Sequence, residues 1–375
     1  LNGVDITIIS LLKYPSYKGI DPKIINDRKI IEVALELAKQ HPVTFISNDV
    51  MCRIRARALN LKVQDLKHVE TTDVSFINEM QVDEEQFKTL HNQFISEVNP
   101  SHKPNYFNYR FTSSFTNQQK LATIENGRVQ VIGKATEEDL TRQDIKPLNS
   151  EQLFFSKALQ DTSIDVNICE AKAGTGKTAI AISNGIRLVR KGKYESLIYI
   201  RASVDDVDSA EEVGFLSGNE EKMQVYLHPL EDTLDFIARN RHKSSKLKNG
   251  DYEEMISNEV IKIKDQCNIQ SMIGLGLRGR TFHNAYVIID EAQNQTAASL
   301  QKMLTRIGQN CKLVIIGSNK QIDNSFITKY TNGLGKLLEA CTEEHDQVNL
   351  HAVSLPTVLR GPIAEFAENL FSRGS

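Results

Sequence analysis

The sequence lacks the features that mark several classes of protein. In 375 residues no apolar run approaches the roughly 18–20 residues that a membrane span needs. No basic segment followed by an apolar one suggests a secretory signal. Neither sign of charge dominates: 45 Lys and Arg stand against 48 Asp and Glu, a net charge of -3. That balance excludes a histone-like or tail-driven nucleic-acid binder, so any such affinity must come from local basic patches. Cysteine is sparse, with residues at 52, 169, 267, 311 and 341. An odd number without a C-x-x-C pair argues against a structural zinc site and against a disulfide framework. The expected setting is a reducing cytoplasm, with no membrane as partner. Repeats of about 20–50 residues are absent, as are low-complexity tracts. The chain opens on Leu1 rather than Met, which reads as a fragment or a processed chain.

What is present is ordinary globular material. Hydrophobic residues make up 40% and charged residues 25%, enough to bury a real core, and the length suits two or three domains at roughly 100–200 residues each. In residues 1–68, Val4–Ser10 and Val43–Ser47 read as short strands. Arg28–Gln40 carries a helical apolar face, with Asp27 placed to cap it. Asp49 would cap a second helix through about Leu59. Alternating strands and helices imply a parallel sheet. Residues 69–147 are more polar and suit a linker or a small β module. There Lys120–Glu125 and Arg128–Ile132 flank Asn126-Gly127, the strongest short hairpin signal because both turn residues tolerate φ > 0, and Tyr106–Phe111 could add a strand. From 148 to 375 the alternation resumes. Candidate strands are Val166–Cys169, Leu197–Ile200, Tyr286–Ile289, Leu313–Ile316 and Val348–Leu350. Candidate helices are Thr178–Val189, Gln293–Thr305 and Ile363–Phe371. The fold class is therefore α/β, a mostly parallel sheet whose ligands bind beyond the carboxyl ends of the strands.

The strongest chemical signal is Ala171-Lys-Ala-Gly-Thr-Gly-Lys-Thr178, which follows an apolar strand and opens an amphipathic helix. That is the context of a phosphate-binding loop. Gly174 and Gly176 let the backbone approach phosphate oxygens. The N–H groups from Ala173 through Thr175 to Thr178 would point inward at a helix N-terminus. Lys177 would reach the β- and γ-phosphates of ATP, and the Thr178 hydroxyl would ligate Mg²⁺. Ala171 stands where the pattern has its first Gly, and its cost depends on whether that position needs φ > 0.

The complementary half of such a site is Val287-Ile-Ile-Asp-Glu-Ala-Gln-Asn294, an apolar strand ending in two acids. Asp290 would hold the Mg²⁺ shell and Glu291 would polarise the attacking water. After Leu313–Ile316, Gln321 is a candidate γ-phosphate sensor, against the alternative of a plain strand-to-loop turn. Gln152 in Asn149-Ser-Glu-Gln152 could bond an adenine edge; equally, this is a polar cluster in which Asn149 or Ser150 caps a helix.

These residues resemble the PhoH family of ATPases, whose core is similar to superfamily-1 helicases of the P-loop NTPase, RecA-like type. The resemblance runs from about Asn149 to the end. It takes in the Gln152 region, the glycine loop, Arg201, Gly214-Phe-Leu-Ser-Gly218, Glu221-Lys-Met223 and Leu277-Arg-Gly-Arg-Thr281. It continues through Asp290–Asn294, Leu304-Thr-Arg-Ile-Gly308, Gln321-Ile-Asp323, Asn332-Gly-Leu334 and Arg360. The chain departs from the family at Ser318, where Asp is usual, and at Ala202 and Ser217, where Pro is usual. The amino-terminal part resembles the second half of a PIN nuclease domain, with Asn26-Asp27 and Ser47-Asn-Asp49 matching the last two acidic positions. No earlier residue matches the first PIN strand and its Asp.

The resemblance implies an ATP-dependent RNA helicase or remodeller coupled to a PIN ribonuclease that is incomplete here. Asp27 and Asp49 would help to hold Mg²⁺ or Mn²⁺, hard cations that take oxygen ligands, although both also suit helix capping. An ATP-dependent switch without helicase or nuclease activity is the alternative. Relatives imply a homo-oligomer, as large as a hexameric ring, in which Arg306 or Arg360 would complete a neighbour's site in trans; either could instead be an ordinary ion-pair partner. RNA, expected single-stranded, would meet Arg278 and Arg280, the Arg239–Lys248 run, and Arg53, Arg55 and Arg57 through salt-dependent phosphate contacts. The Arg239–Lys248 run reads as a solvent-exposed insertion, and such a run is also commonly a solvated face.

Overall fold

The computed structural model describes residues 22–47, 50–64, 76–101, 107–202, 219–243, 249–277, 279–324, 327–328, 331–343, 345–359, 361 and 366, with the backbone alone for 22–27, 50, 219–226, 249 and 275–276. The chain divides into two compact units, Leu1–Val74 and Ser75–Ser375.

In the first unit α1 (Pro22–Ala38), β1 (Thr44–Ile46), α2 (Val50–Ala58) and β2 (Lys62–Gln64) alternate. The two strands pair in parallel, Phe45 opposite Val63. Ile31, Ala34, Phe45, Cys52, Ala56 and Leu61 form its core. The helix expected from Arg28 starts at Pro22. Proline suits a first helical position because its missing N–H has no partner to lose there. Asp27 therefore lies within α1 rather than capping it. Asp49 and the Val4–Ser10 strand lie outside the described residues.

The second unit opens with β3 (Ile77–Val82), α3 (Glu84–Thr89), α4 (Ile95–Val98), β4 (Asn108–Ser113), β5 (Gln119–Glu125), β6 (Arg128–Val131) and α5 (Lys134–Thr141). The four strands form one sheet in the order β3-β4-β5-β6. β3 runs parallel to β4, and β4, β5 and β6 are antiparallel. Asn126 (φ 51°) and Gly127 (φ 71°) make the β5–β6 turn, the two left-handed residues that match strand twist.

The remainder is α6 (Ser150–Gln160), β7 (Val166–Ala171), α7 (Lys177–Arg190), β8 (Ser196–Arg201), α8 (Asn219–Arg241), α9 (Asn249–Gln266), β9 (Gln270–Ile273), β10 (Ala285–Asp290), α10 (Ala297–Leu304), β11 (Lys312–Gly317), α11 (Gly333–Ala340) and β12 (Leu350–Leu355). The six strands order as β12-β7-β11-β10-β8-β9, and every pairing is parallel. This is the α/β sheet of a P-loop NTPase. One face packs Ile168, Ile200, Val287, Ile289 and Ile315 against α10 and α11. The other packs Cys169, Tyr199, Tyr286, Ile288 and Val314 against α6, α7 and α8. Strands covered on both faces read as unbroken apolar runs, which is why β8, β10 and β11 stand out in the sequence. The last strand runs later than expected, with only Leu350 in common. The Gln293–Thr305 helix is divided: a short turn at Ala292–Asn294 precedes α10, whose start Thr296 caps by accepting from Ser299 N at 3.1 Å. The Ile363–Phe371 helix lies almost wholly outside the described residues.

Polar bridges join the four-stranded sheet to the six-stranded one. Asn108 Nδ2 donates to Phe76 O and to Ala352 O, both at 3.1 Å, and its Oδ1 accepts from His351 Nε2 at 3.0 Å. Burial pushes the His351 imidazole down to about 3, so it bridges as the neutral ring. Lys157 on α6 donates to Thr123 and Glu125 at 3.0 and 2.8 Å. Arg110 on β4 reaches Ser150 Oγ at 2.7 Å and Glu151 at 3.0 Å.

Candidate functional site

The site grows from the carboxyl end of β7. Ala171 closes that strand, paired with Leu355 and 2% exposed. It is absent from the positive-φ residues, so the first position of the loop does not demand glycine. Gly174 (φ 72°) and Gly176 (φ 82°) are left-handed, a conformation costly for residues with a Cβ. The loop folds on itself through Thr175 Oγ1, which donates to Lys172 O at 3.1 Å. Lys177 is the first residue of α7 and is buried.

Two strands away, β10 carries Asp290 to the same edge of the sheet. Its carboxylate accepts from Thr178 Oγ1 at 3.1 Å, from Tyr199 OH at 2.7 Å and from Glu291 N at 2.9 Å. Burial, and then the neighbouring Glu291 charge, push the Asp290 carboxyl up from its usual range. Burial and the Asp290 charge also hold the Tyr199 phenol well above its ordinary value. Glu291 adopts φ 59°, ψ 36°, a left-handed conformation that strains a residue with a side chain by about 1–2 kcal/mol. Strain of this kind collects at functional positions. Arg201 at the end of β8 stands 3.9 Å from the Glu291 carboxylate.

Gln293 is the residue that sequence reasoning passed over. It is fully buried. Its Nε2 donates to Glu291 Oε2 at 2.6 Å and to Gln321 O at 2.9 Å, while its Oε1 accepts from Ser318 N at 3.0 Å. One amide thus joins the acid pair to the loop after β11. Gly317 permits this, because a Cβ there would lie 2.5 Å from Gln293 Oε1. Asn294 adds a second tie, its Oδ1 accepting from Asp323 N at 2.9 Å. The one available signal was position: Gln293 and Asn294 follow the acids directly.

Gln321 meets this network through its backbone carbonyl, and its side chain is exposed. Gln152 is 3% exposed. Its Nε2 donates to Thr175 O at 2.8 Å and its Oε1 accepts from Leu148 N at 2.7 Å, so both ends of the amide engage the protein. Between the two capping candidates, Asn149 caps α6, its side chain accepting from Gln152 N at 2.9 Å.

Comparison with known proteins follows from this geometry. A family model described as PhoH-like protein matches residues 144–372, more than half of the chain. The chain belongs to the PhoH-like protein family. A PIN domain model matches residues 10–67. Protein PhoH2 of Bacillus subtilis (strain 168) is 26% identical over 330 residues, 84% of this chain and 71% of that protein. A PhoH-like protein of the same organism is 35% identical over 152 residues, 40% of this chain and 41% of that protein. Protein PhoH2 of Thermobispora bispora is 26% identical over 312 residues, 80% of this chain and 64% of that protein.

Other expected residues of this PhoH-like chain fall elsewhere. Arg306 follows α10, and its carbonyl accepts from Phe282 N at 3.0 Å. Phe282 precedes β10, so Arg306 sits at the amino edge of the sheet, about 20 Å of strand away from the glycine loop at roughly 3.3 Å per residue. It is not part of its own protomer's site. Arg360 and Arg278 lie outside the described residues.

Of the basic run, Arg239 and Arg241 are paired, and residues 244–248, with Lys246 and Lys248, lie outside the described residues. Arg239 ends α8 paired with Asp235 at 2.6 Å and Glu253 at 2.7 Å. Arg241 pairs with Asp144 at 2.5 Å and Glu259 at 2.9 Å. The expected insertion is, at these positions, the end of a 23-residue helix. Arg280 is exposed, and Arg53 donates to Ser47 O at 2.7 Å.

Thr178 Oγ1 and Asp290 Oδ2, 3.1 Å apart, are oxygen donors of the kind that could hold a hard divalent cation. Among the described residues no three His, Cys, Asp or Glu side chains gather into a metal-sized cluster. No helix among them is long and apolar enough to cross a membrane. All five cysteines are free thiols.

Proposed function

We propose that the PhoH-like unit binds and hydrolyses ATP, and that hydrolysis drives unwinding or remodelling of RNA, held as a single strand, for a PIN ribonuclease of which this chain carries a part. The observation that carries this reading is the hydrogen bond from Thr178 at the start of α7 to Asp290 at the end of β10. It joins two segments 112 residues apart, which on this reading are the halves of a triphosphate site. Lys177 and the N–H groups of Ala173 to Thr178 would bind the phosphates. Thr178 and Asp290 would hold Mg²⁺, which when bound neutralises phosphate charge.

Glu291, aimed by Gln293 and Arg201, would orient the attacking water. Gln293 also reaches Ser318 and Gln321, which supports passing the state of the terminal phosphate to the loop after β11. Catalysis of this kind rests on positioning and electrostatics. Arg306 or Arg360 would act on a neighbouring protomer of a homo-oligomeric ring. At the PIN-like site Asp27 and Asp49 would contribute to a Mg²⁺ or Mn²⁺ centre.

The test is nucleotide hydrolysis by the full chain with and without RNA. Turnover that RNA raises, and that Lys177→Ala abolishes, is expected. The ion pairs that neutralise Arg239 and Arg241 favour a second reading, an ATP-dependent switch that needs no RNA. Turnover indifferent to RNA at low salt selects it.

A further inference from the structure

Several polar side chains beside the glycine loop are engaged by the protein itself. Asn149 is the α6 cap. Ser150 and Glu151 hold Arg110. Gln152 is 3% exposed, its amide lying beneath the loop, 3.4 Å from where a Cβ on Gly176 would stand. Leu148, just before them, is 70% exposed. Its N–H is held by Gln152, whose other end holds Thr175 O.

On the neighbouring loop position, Leu359 is 39% exposed and donates its N–H to Gly174 O at 2.9 Å. Two exposed leucines are therefore tethered by their backbones to successive residues of the glycine loop, one directly and one through a single amide. Thr357 is exposed nearby, and a hydroxyl both donates and accepts, so it favours neither an amino nor a carbonyl edge.

We propose that the base of the bound nucleotide lies in an apolar slot between Leu148 and Leu359, and that the site takes purine nucleoside triphosphates with little discrimination between adenine and guanine. The inference rests on the triphosphate reading of the loop and names its substrate class. Apolar contact follows buried area, which is nearly the same for both purines. A site built to hydrogen-bond one partner rejects an analogue by about 10⁴–10⁵, whereas an apolar pocket manages roughly 10–200-fold. Gln152 is then a positioning residue: it sets the loop and Leu148, and does not read the base.

The experiment measures kcat and KM for ATP and GTP with Mg²⁺, together with equilibrium binding of fluorescent ATP and GTP analogues. The two kcat/KM values are expected to agree within about tenfold. Leu148→Ala and Leu359→Ala should each raise both KM values by a common factor. Gln152→Ala should lower kcat for both nucleotides and leave their ratio unchanged. A preference for ATP beyond about hundredfold, a ratio that collapses in Gln152→Ala, or leucine variants with unaltered KM would each overturn the slot while leaving the hydrolysis proposal standing. If neither analogue binds, the triphosphate reading falls and the slot falls with it.

Discussion

The two ends of the six-stranded sheet bury charges of opposite sign and treat them differently. At the carboxyl end Asp290 accepts from two hydroxyls and one N–H, its carboxyl is pushed up by burial and by Glu291, and Glu291 itself is strained. At the amino end Lys312 is fully buried and donates to three backbone carbonyls, Ala158 O at 3.1 Å, Asp161 O at 2.6 Å and Ile164 O at 2.8 Å. Ala158 O and Asp161 O belong to the last turn and C-cap of α6, where helices leave acceptors without intrahelical donors, and Ile164 O to the loop before β7. When protonated, the side chain has three N–H groups for these three acceptors. The Asp290–Glu291 pair keeps like charges side by side, Asp290 buried and Glu291 part-exposed. One end is arranged for rigidity, and the other retains unfavourable electrostatics that a cation would relieve.

The sharpest break of this comparison is Lys177→Ala, which should abolish nucleotide hydrolysis without lowering the melting temperature by more than a few degrees. Gln293→Ala comes next. It releases Glu291 and the loop after β11 together, and kcat should fall by about 10²-fold with KM little changed, the pattern of a lost transition-state interaction. At the other end Lys312→Met leaves Ala158 O and Ile164 O without the lysine's donor, while Asp161 O keeps Ile164 N at 3.3 Å. Chemical denaturation should then show a loss of about 2–6 kcal/mol, at 1–3 kcal/mol per unmet buried group, while KM for nucleotide stays the same.

The same lysine gives a pH test. Burial pushes its amine from 10.5 down to about 7. Between those values the unfolded chain holds a proton that the folded chain has lost, so Lys312 makes stability rise with pH across that window. The slope approaches about 1.4 kcal/mol per unit. Lys312→Met should flatten it, as denaturation at pH 7.5 and 9.5 would record. The smallest effect belongs to Arg239→Ala. Its pairs with Asp235 and Glu253 are exposed, and water and salt screen exposed pairs. Stability and any RNA affinity should both be nearly unaltered, as filter binding at low salt would show.

Much of the fold was legible because it is local. Strands β8, β10 and β11 are short apolar runs bounded by polar residues. The Asn126-Gly127 turn is set by two residues that tolerate left-handed backbone, and the glycine loop by Gly174 and Gly176. Misreadings arose where a distant partner decides. Arg239 and Arg241 look like a basic run until Glu253, Asp144 and Glu259 arrive from other elements. Gln152 looks free to bond a base until Thr175 and Leu148 take both ends of its amide. Asp27 looks like a cap because the apolar face begins at Ile30, but Pro22 starts the helix earlier.

By itself the sequence determined the elements and the two halves of the candidate site, since backbone dihedrals and hydrophobic periodicity act over a few residues. Only the tertiary structure decided which polar groups remain free for a ligand. A hydrogen bond satisfies its donor wherever along the chain the acceptor lies, and folding brings together acceptors as far apart in sequence as Asp290 is from Thr178.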